Sequence, residues 1–201
     1  MTKALPGALL LFLVLTSGAP EALHSAVLAN RYLFAEVDEE TGRIFLASGG
    51  EPRLGLLFLD RPPSSFIVLR TDDDLAVFGG DRGRMVTRPV TMGDRLLTQW
   101  ESGGVLASQA LALVTRKGSG REDGLLVTLT LRNQTGHDVE VGARMLLDTV
   151  LGEGGGVHFR LSDGRGIRGE TVLRETELPR AWLSTDTVGY RACLRGVLRG
   201  E

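Results

Sequence analysis

Gly124–Phe159, GLLVTLTLRNQTGHDVEVGARMLLDTVLGEGGGVHF, is the stretch that decides the fold class of this 201-residue chain. It reads as two long alternating strands joined by a tight polar turn and running into a glycine-rich loop. In the first strand Leu125, Val127, Leu129 and Leu131 fall on one face, and Leu126, Thr128 and Thr130 on the other. In the second, Val139, Val141, Ala143, Met145 and Leu147 oppose Glu140, Gly142, Arg144, Leu146 and Asp148. A period of two is the mark of a half-buried strand, because successive side chains of extended backbone point to opposite faces.

The same period recurs outward from this segment. Arg31–Asp38 and Arg43–Ser48 alternate, and Glu39-Glu40-Thr41-Gly42 between them supplies a glycine for a positive φ, which predicts a β-hairpin. Leu54–Leu59 is a short apolar run suited to a strand buried on both sides, stopped by Pro62-Pro63. Phe66–Leu69 and Leu75–Phe78 are strands around an acidic turn at Thr71–Asp74. Arg84–Val90 is an edge strand, because Pro89 has no N–H to give a ladder. Arg95–Glu101 and Val105–Thr115 follow; the Ala and Leu of the latter also suit a helix, but its length and neighbours favour a strand. Thr171–Leu178 and Arg191–Leu198 are weaker strand segments, with Trp182-Leu183 as a buried anchor. Many strands at roughly ten-residue spacing, with glycine-rich turns, predict an all-β, antiparallel β-sandwich. A final strand at the end of such a sheet has an exposed edge, which a partner or a second copy would cover.

The bulk numbers agree. Forty-two percent hydrophobic residues suffice for a core, and a net charge of −2 excludes the sustained positive field that nucleic-acid binding needs. At the N-terminus Lys3 precedes the apolar run Ala8–Leu15, and small residues follow. That order predicts a secretory signal peptide over residues 1–22, with cleavage after Ala22, Ala26 or Ala29, and a β-sandwich domain over 30–201. The apolar run is far short of the ~20 residues of a spanning helix, so no membrane span is expected. A buried or membrane-bound N-terminal helix is the alternative. The lone Cys193 cannot close an internal disulfide, and its alternating setting reads as a small buried side chain.

Several of these segments resemble a family of exported, uncharacterised bacterial and archaeal surface proteins with a galactose-mutarotase-like β-sandwich. The resemblance rests on Gln99-Trp100-Glu101, on Leu129–Asn133, on Val141–Thr149 with Gly152 and Phe159, on Pro179–Trp182 and on Gly196-Val197-Leu198. It spans about half the chain, Leu96 to Gly200. It implies a supersandwich of the kind seen in sugar-binding folds. More strands follow the last glycine motif in those relatives, so it also implies a sandwich short of its terminal strands. It carries no catalytic residues.

The candidate chemistry is thin. Asp148, Glu153 and His158 flank the Gly152–Gly156 loop, and two carboxylates with an imidazole are the groups of an acid/base or metal site. The competing reading makes Asp148 and Arg144 a structural pair or has them cap loop amides, and leaves Glu153 and His158 solvated. Trp100 is the aromatic on which a sugar would stack, or else a core anchor. Asp72-Asp73-Asp74 lacks the ligand spacing of a calcium loop, and Asn133-Gln134-Thr135 is a sequon placed where a turn is expected anyway. Ser108, Ser162 and Ser184 lack a nucleophile-elbow context. No cofactor and no catalytic or metal-ligating set is expected. The sequence therefore points to an exported, non-enzymatic β-sandwich of the periplasm or cell surface. It would bind an envelope protein or associate with itself through an open strand edge. A carbohydrate-binding or mutarotase-like module holding a glycan is the alternative.

Overall fold

The computed structural model describes residues 26–58, 62–116, 118, 120–152, 156–169, 171–173, 175–185 and 192–197. Residues 1–22, where the sequence predicts a signal peptide, lie outside them. The described chain is all-β, with one short 3₁₀ turn at Glu175–Glu177 and no α-helix.

Hairpins build most of it. β1 (Ala26–Ala29), β2 (Leu33–Val37) and β3 (Ile44–Ser48) form a three-stranded antiparallel sheet. The β2–β3 turn closes as the sequence predicts, with Gly42 at φ 65° and the Asp38 carboxylate accepting from the Thr41 N–H at 2.8 Å. β4 (Phe66–Thr71) and β5 (Asp74–Val77) form the next hairpin. β6 (Arg84–Met92), β7 (Arg95–Ser102), β8 (Val105–Val114) and β9 (Gly124–Asn133) make a four-stranded meander in sequence order. β8 is a strand with strict in–out burial, not a helix. β10 (Val141–Leu146) joins β4 in a β10-β4-β5 sheet. β11 (Phe159–Leu161), β12 (Gly166–Ile167), β13 (Ala181–Thr185) and β14 (Cys193–Val197) complete a small sheet of order β12-β11-β13-β14.

The layers follow from which rows share a core. The inner face of the meander carries two clusters end to end. Leu96, Leu111, Leu113, Leu125 and Val127 pack under the β1–β3 sheet. Trp100, Ala107, Leu129 and Leu131 pack under β4 and β5. At the junction Thr98 and Gln109 lie opposite each other, and the Gln109 amide donates 2.9 Å to the Gly42 carbonyl of the β2–β3 turn. This is a sandwich: one four-stranded layer faced by two smaller sheets, with Leu194 of the β12-β11-β13-β14 sheet also packed on the first cluster.

Four expectations need correction. β9 and β10 are not a hairpin: β10 leaves the meander and pairs with β4 in the opposite layer. The polar turn is instead an arch, held by Asn133, whose carboxamide oxygen accepts from the Thr135 N–H at 2.8 Å and whose amide donates 2.7 Å to the His137 carbonyl. Leu54–Leu59 forms no strand among the described residues. Leu56 and Leu57 are buried, but the segment makes only single bridges, Ala47 to Gly55 and Leu57 to Thr149. It crosses between two elements rather than lying along either. Thr171–Leu178 carries the 3₁₀ turn in place of a strand. Cys193 is exposed. Alternation fixes it: Leu194 and Ala192 pack on the main core, so the residue between them must point away.

Candidate functional site

Three of the four residues singled out in the sequence, Trp100, Asp148 and His158, are described, and each has its own structural setting. Trp100 is 1% exposed. It sits in mid-β7 with its ring centroid 5.7 Å from that of Phe78, and presents no face to solvent on which a sugar could stack. Glu153 lies outside the described residues. Asp148 is half-buried just past β10. Its backbone N–H donates 3.0 Å to the Ser65 hydroxyl, and its carbonyl accepts from the Phe58 N–H at 3.0 Å. No ion pair joins it to Arg144 among the described residues. Four residues along an extended chain span about 13 Å, and both side chains are of the same parity, so neither reaches the other. Among the described residues His158 is held through its backbone: its N–H donates 2.8 Å to the Ile167 carbonyl, and its carbonyl is an acceptor for Ser184.

Ser184, which lacks a nucleophile-elbow context in the sequence, has a structural role instead. It is fully buried. Its hydroxyl lies 2.9 Å from the Leu151 carbonyl and 3.0 Å from the His158 carbonyl, so its single proton is shared between the two ends of the glycine-rich loop. Gly152, at φ 89°, makes the approach possible, because a β-carbon there would press on the His158 carbonyl at 2.7 Å and on the serine hydroxyl at 3.0 Å. No local motif announces such a serine, since its partners are 33 and 26 residues away. Ser184→Ala leaves two carbonyls short of a donor and is expected to cost about 1–3 kcal/mol. Urea unfolding would show it; a loss under ~0.5 kcal/mol, the usual size for a neutral surface change, would refute the clamp.

The other polar features are also structural. The Asp72 side chain accepts from the Glu140 N–H at 2.9 Å, and its own N–H donates 2.8 Å to the Glu140 carbonyl. Arg70 pairs with Glu140 alongside. The acidic turn therefore pins the start of β10. Among the described residues Asp163 is the one carboxyl clearly below the usual range: the Arg165 backbone N–H bonds it at 3.0 Å and the Arg165 guanidinium at 2.7 Å. Both interactions are exposed features of the β11–β12 turn. Among the described residues no three of His, Cys, Asp and Glu gather into a group that would hold a metal ion. No helix there is long and apolar enough to cross a membrane. An open dent of about 220 Å³ is lined by Asn30, Arg31, Tyr32, Gly120 and Glu122. Arg31 already stacks 4.7 Å from the Tyr32 ring centroid, and the Asn30 amide is spent on the Glu122 carbonyl and carboxylate.

What stands out instead is one open side of the sandwich. Phe78, just after β5, stacks on β7, and Leu129 and Leu131 of β9 share a cluster with Ile67 and Leu69 of β4. The order β5-β4-β10 thus runs above the meander in the direction β6 to β9, and β10 falls on the β9 side. Neither β9 nor β10 has a second strand neighbour among the described residues. The register places Met145 opposite Ile67 and Ala143 opposite Leu69. Directly opposed residues share a face, so these belong to the inner row. Ile67 and Leu69 are 4% and 2% exposed, while Met145 is 39% and Val141, in the same row, 42% exposed. β10 is exposed on both faces apart from half-buried Gly142, and Met145 reaches the core only at a narrow gap lined by Gly42, Ile44, Phe78 and Gln109.

The two edges of the meander differ. β6 carries Pro89 and two register shifts, between Met85 and Thr87 and between Thr87 and Val90. Proline and bulges are the usual guards against unwanted pairing. β9 pairs with β8 in unbroken register from Gly124 to Asn133. It has no proline, no bulge and a single charge, Arg132, near its end. Comparison of the chain with known protein families, curated proteins and solved structures found no match.

Proposed function

We propose that this protein is an exported, non-enzymatic β-sandwich of the cell envelope that assembles with protein partners by strand addition at its β9–β10 side. The observation that carries this reading is the uncovered inner row of β10. An apolar row that continues a buried core but stays exposed is a place where another chain completes the fold. The unguarded β9 edge beside it supplies backbone donors and acceptors for the added strand. The glycan-binding alternative has less behind it, since Trp100 is buried and Asp148 and His158 act through their backbones.

The export part of the reading makes a definite expectation for processing. Ala26 and Leu28 of β1 belong to the main core, and cleavage after Ala26 or Ala29 would cut into or remove that strand. The mature chain is therefore expected to begin at Leu23. In a bacterial host, N-terminal sequencing and fractionation should find the processed protein in the envelope, migrating in a larger complex on native gels. Met145→Lys puts a charge on an already exposed position. It should dissolve that complex and leave the thermal melt near that of the parent. An unprocessed chain in the cytosol, or a processed one that is always a free monomer, would overturn the reading.

A further inference from the structure

We infer that the occupant of the open side is a second copy of this chain, joined by antiparallel pairing of β9 with its counterpart about a two-fold axis at Thr128. This rests on the strand-addition reading and names its partner. β9 is self-complementary in one register. With Thr128 opposite itself, Leu125 meets Leu131 and Val127 meets Leu129 on the inner face, so each apolar residue of the half-buried row gains an apolar neighbour. A shift of one residue would oppose inner to outer side chains and is excluded by the period of two. A shift of two in one direction would set Leu126 against Arg132 and Leu125 against Asn133, and in the other would set Leu131 against Asp123, so only the Thr128 register gives all four inner residues an apolar partner.

Charge does not oppose this arrangement. The two copies of Arg132 fall at opposite ends of the ladder, about 26 Å apart by strand rise. Each lies opposite Gly124 of the other copy, where Asp123 is already paired with Arg116 and the Glu122 carboxylate accepts from Asn30, so no like charges are set face to face. Arg132 has no ion-pair partner among the described residues. The axis also accounts for the second layer. β10 lies on the same side, over the Leu129–Leu131 half of β9, so the two-fold sets each β10 row beside the Leu125–Val127 half of the other copy. The result is one continuous eight-stranded sheet, an isologous contact that closes and does not propagate. The guarded β6 edges are left at its two ends.

The register makes the test specific. The processed protein, purified after export, should have the mass of a dimer by light scattering, falling toward the monomer on dilution. Thr128 is an exposed outer-face residue, so Thr128→Lys should keep the far-ultraviolet spectrum. It sets two ammonium groups face to face and should weaken dimerisation by roughly a hundredfold or more. In a Cys193→Ser background, Thr128→Cys should form an intermolecular disulfide on mild oxidation, because a residue on the axis faces itself at about 4.5–5.5 Å. Leu126→Cys should not. A parent protein that is monomeric at every concentration overturns the inference. So does a dimer that cross-links at 126 and not at 128. A monomer that still enters the envelope complex, and leaves it on Met145→Lys, overturns the dimer alone. A monomer found in no complex overturns the strand-addition reading as well.

Discussion

Trp100→Ala is expected to destabilise the protein by about 3–5 kcal/mol, the range for removing a large buried aromatic. The residue lies between Met85 of β6 and Ala107 of β8 in the inner face of the meander, stacked on Phe78 from the opposite layer. It is thus the side chain that ties the two layers together at the β5 end. The surroundings are built to its shape. Gly83 has no β-carbon, and one placed there would fall inside the indole. Ala107 and Gly83 are too small to fill the space left by an alanine and the Phe78 ring is already buried, so only the Met85 side chain could move in to offset part of the loss. With total stabilities of about 5–15 kcal/mol, such a loss is a large share of the whole. The urea midpoint should fall with little change in slope, and the fluorescence change on unfolding should shrink, since Trp182 is then the only tryptophan left. A loss below about 1 kcal/mol would place Trp100 with surface residues and would reopen its use as a sugar platform.

Much of this architecture could be read from the sequence, because strand periodicity is a local property. The inner row Leu125, Val127, Leu129 and Leu131 is placed as the alternation predicts, the Gly42 turn closes where a positive φ was needed, and Pro89 marks a true sheet edge. The parts that could not be read depend on long-range placement. Alternation in β10 says which residues share a face, but not whether another layer reaches that face; Met145 and Ile67 are partners in one row with very different exposure. The same pattern fits a hairpin and an arch, because the seven-residue link after Asn133 suits either. Cys193 shows the cost of a phase error: a one-residue choice of inward face reverses every assignment in its strand. β11 and β12, at three and two residues, are too short to show a period. The Ser184 clamp was hidden for a related reason, since its acceptors are backbone carbonyls and leave no mark in the residue types.

Gly79→Ala is the second large effect, about 3–5 kcal/mol as the sum of backbone strain and overpacking, and a paired control separates the two. Gly79 has φ 73°, which alanine adopts at a cost of roughly 1–2 kcal/mol. A β-carbon there would also overlap the carbonyl of Thr41 in the β2–β3 turn. That obstacle is backbone, so no rotamer change relieves it. The turn cannot retreat freely either, because Gly42 is held by the Gln109 amide and a methyl's width from the Phe78 ring. Relief therefore requires the β1–β3 sheet to lift from the meander at the junction of the two cores. Gly93→Ala is the control: Gly93 has φ 63°, with nothing within 4 Å of its would-be β-carbon. It should lose only the conformational part. Equal losses for the two variants would show that the turn yields without resistance, and that the Gly42–Gln109 contact does not fix the two covering sheets against the meander. A loss at Gly79 at least twice that at Gly93 would show that the contact is rigid, with the β2–β3 turn acting as a wedge seated between the two halves of the core.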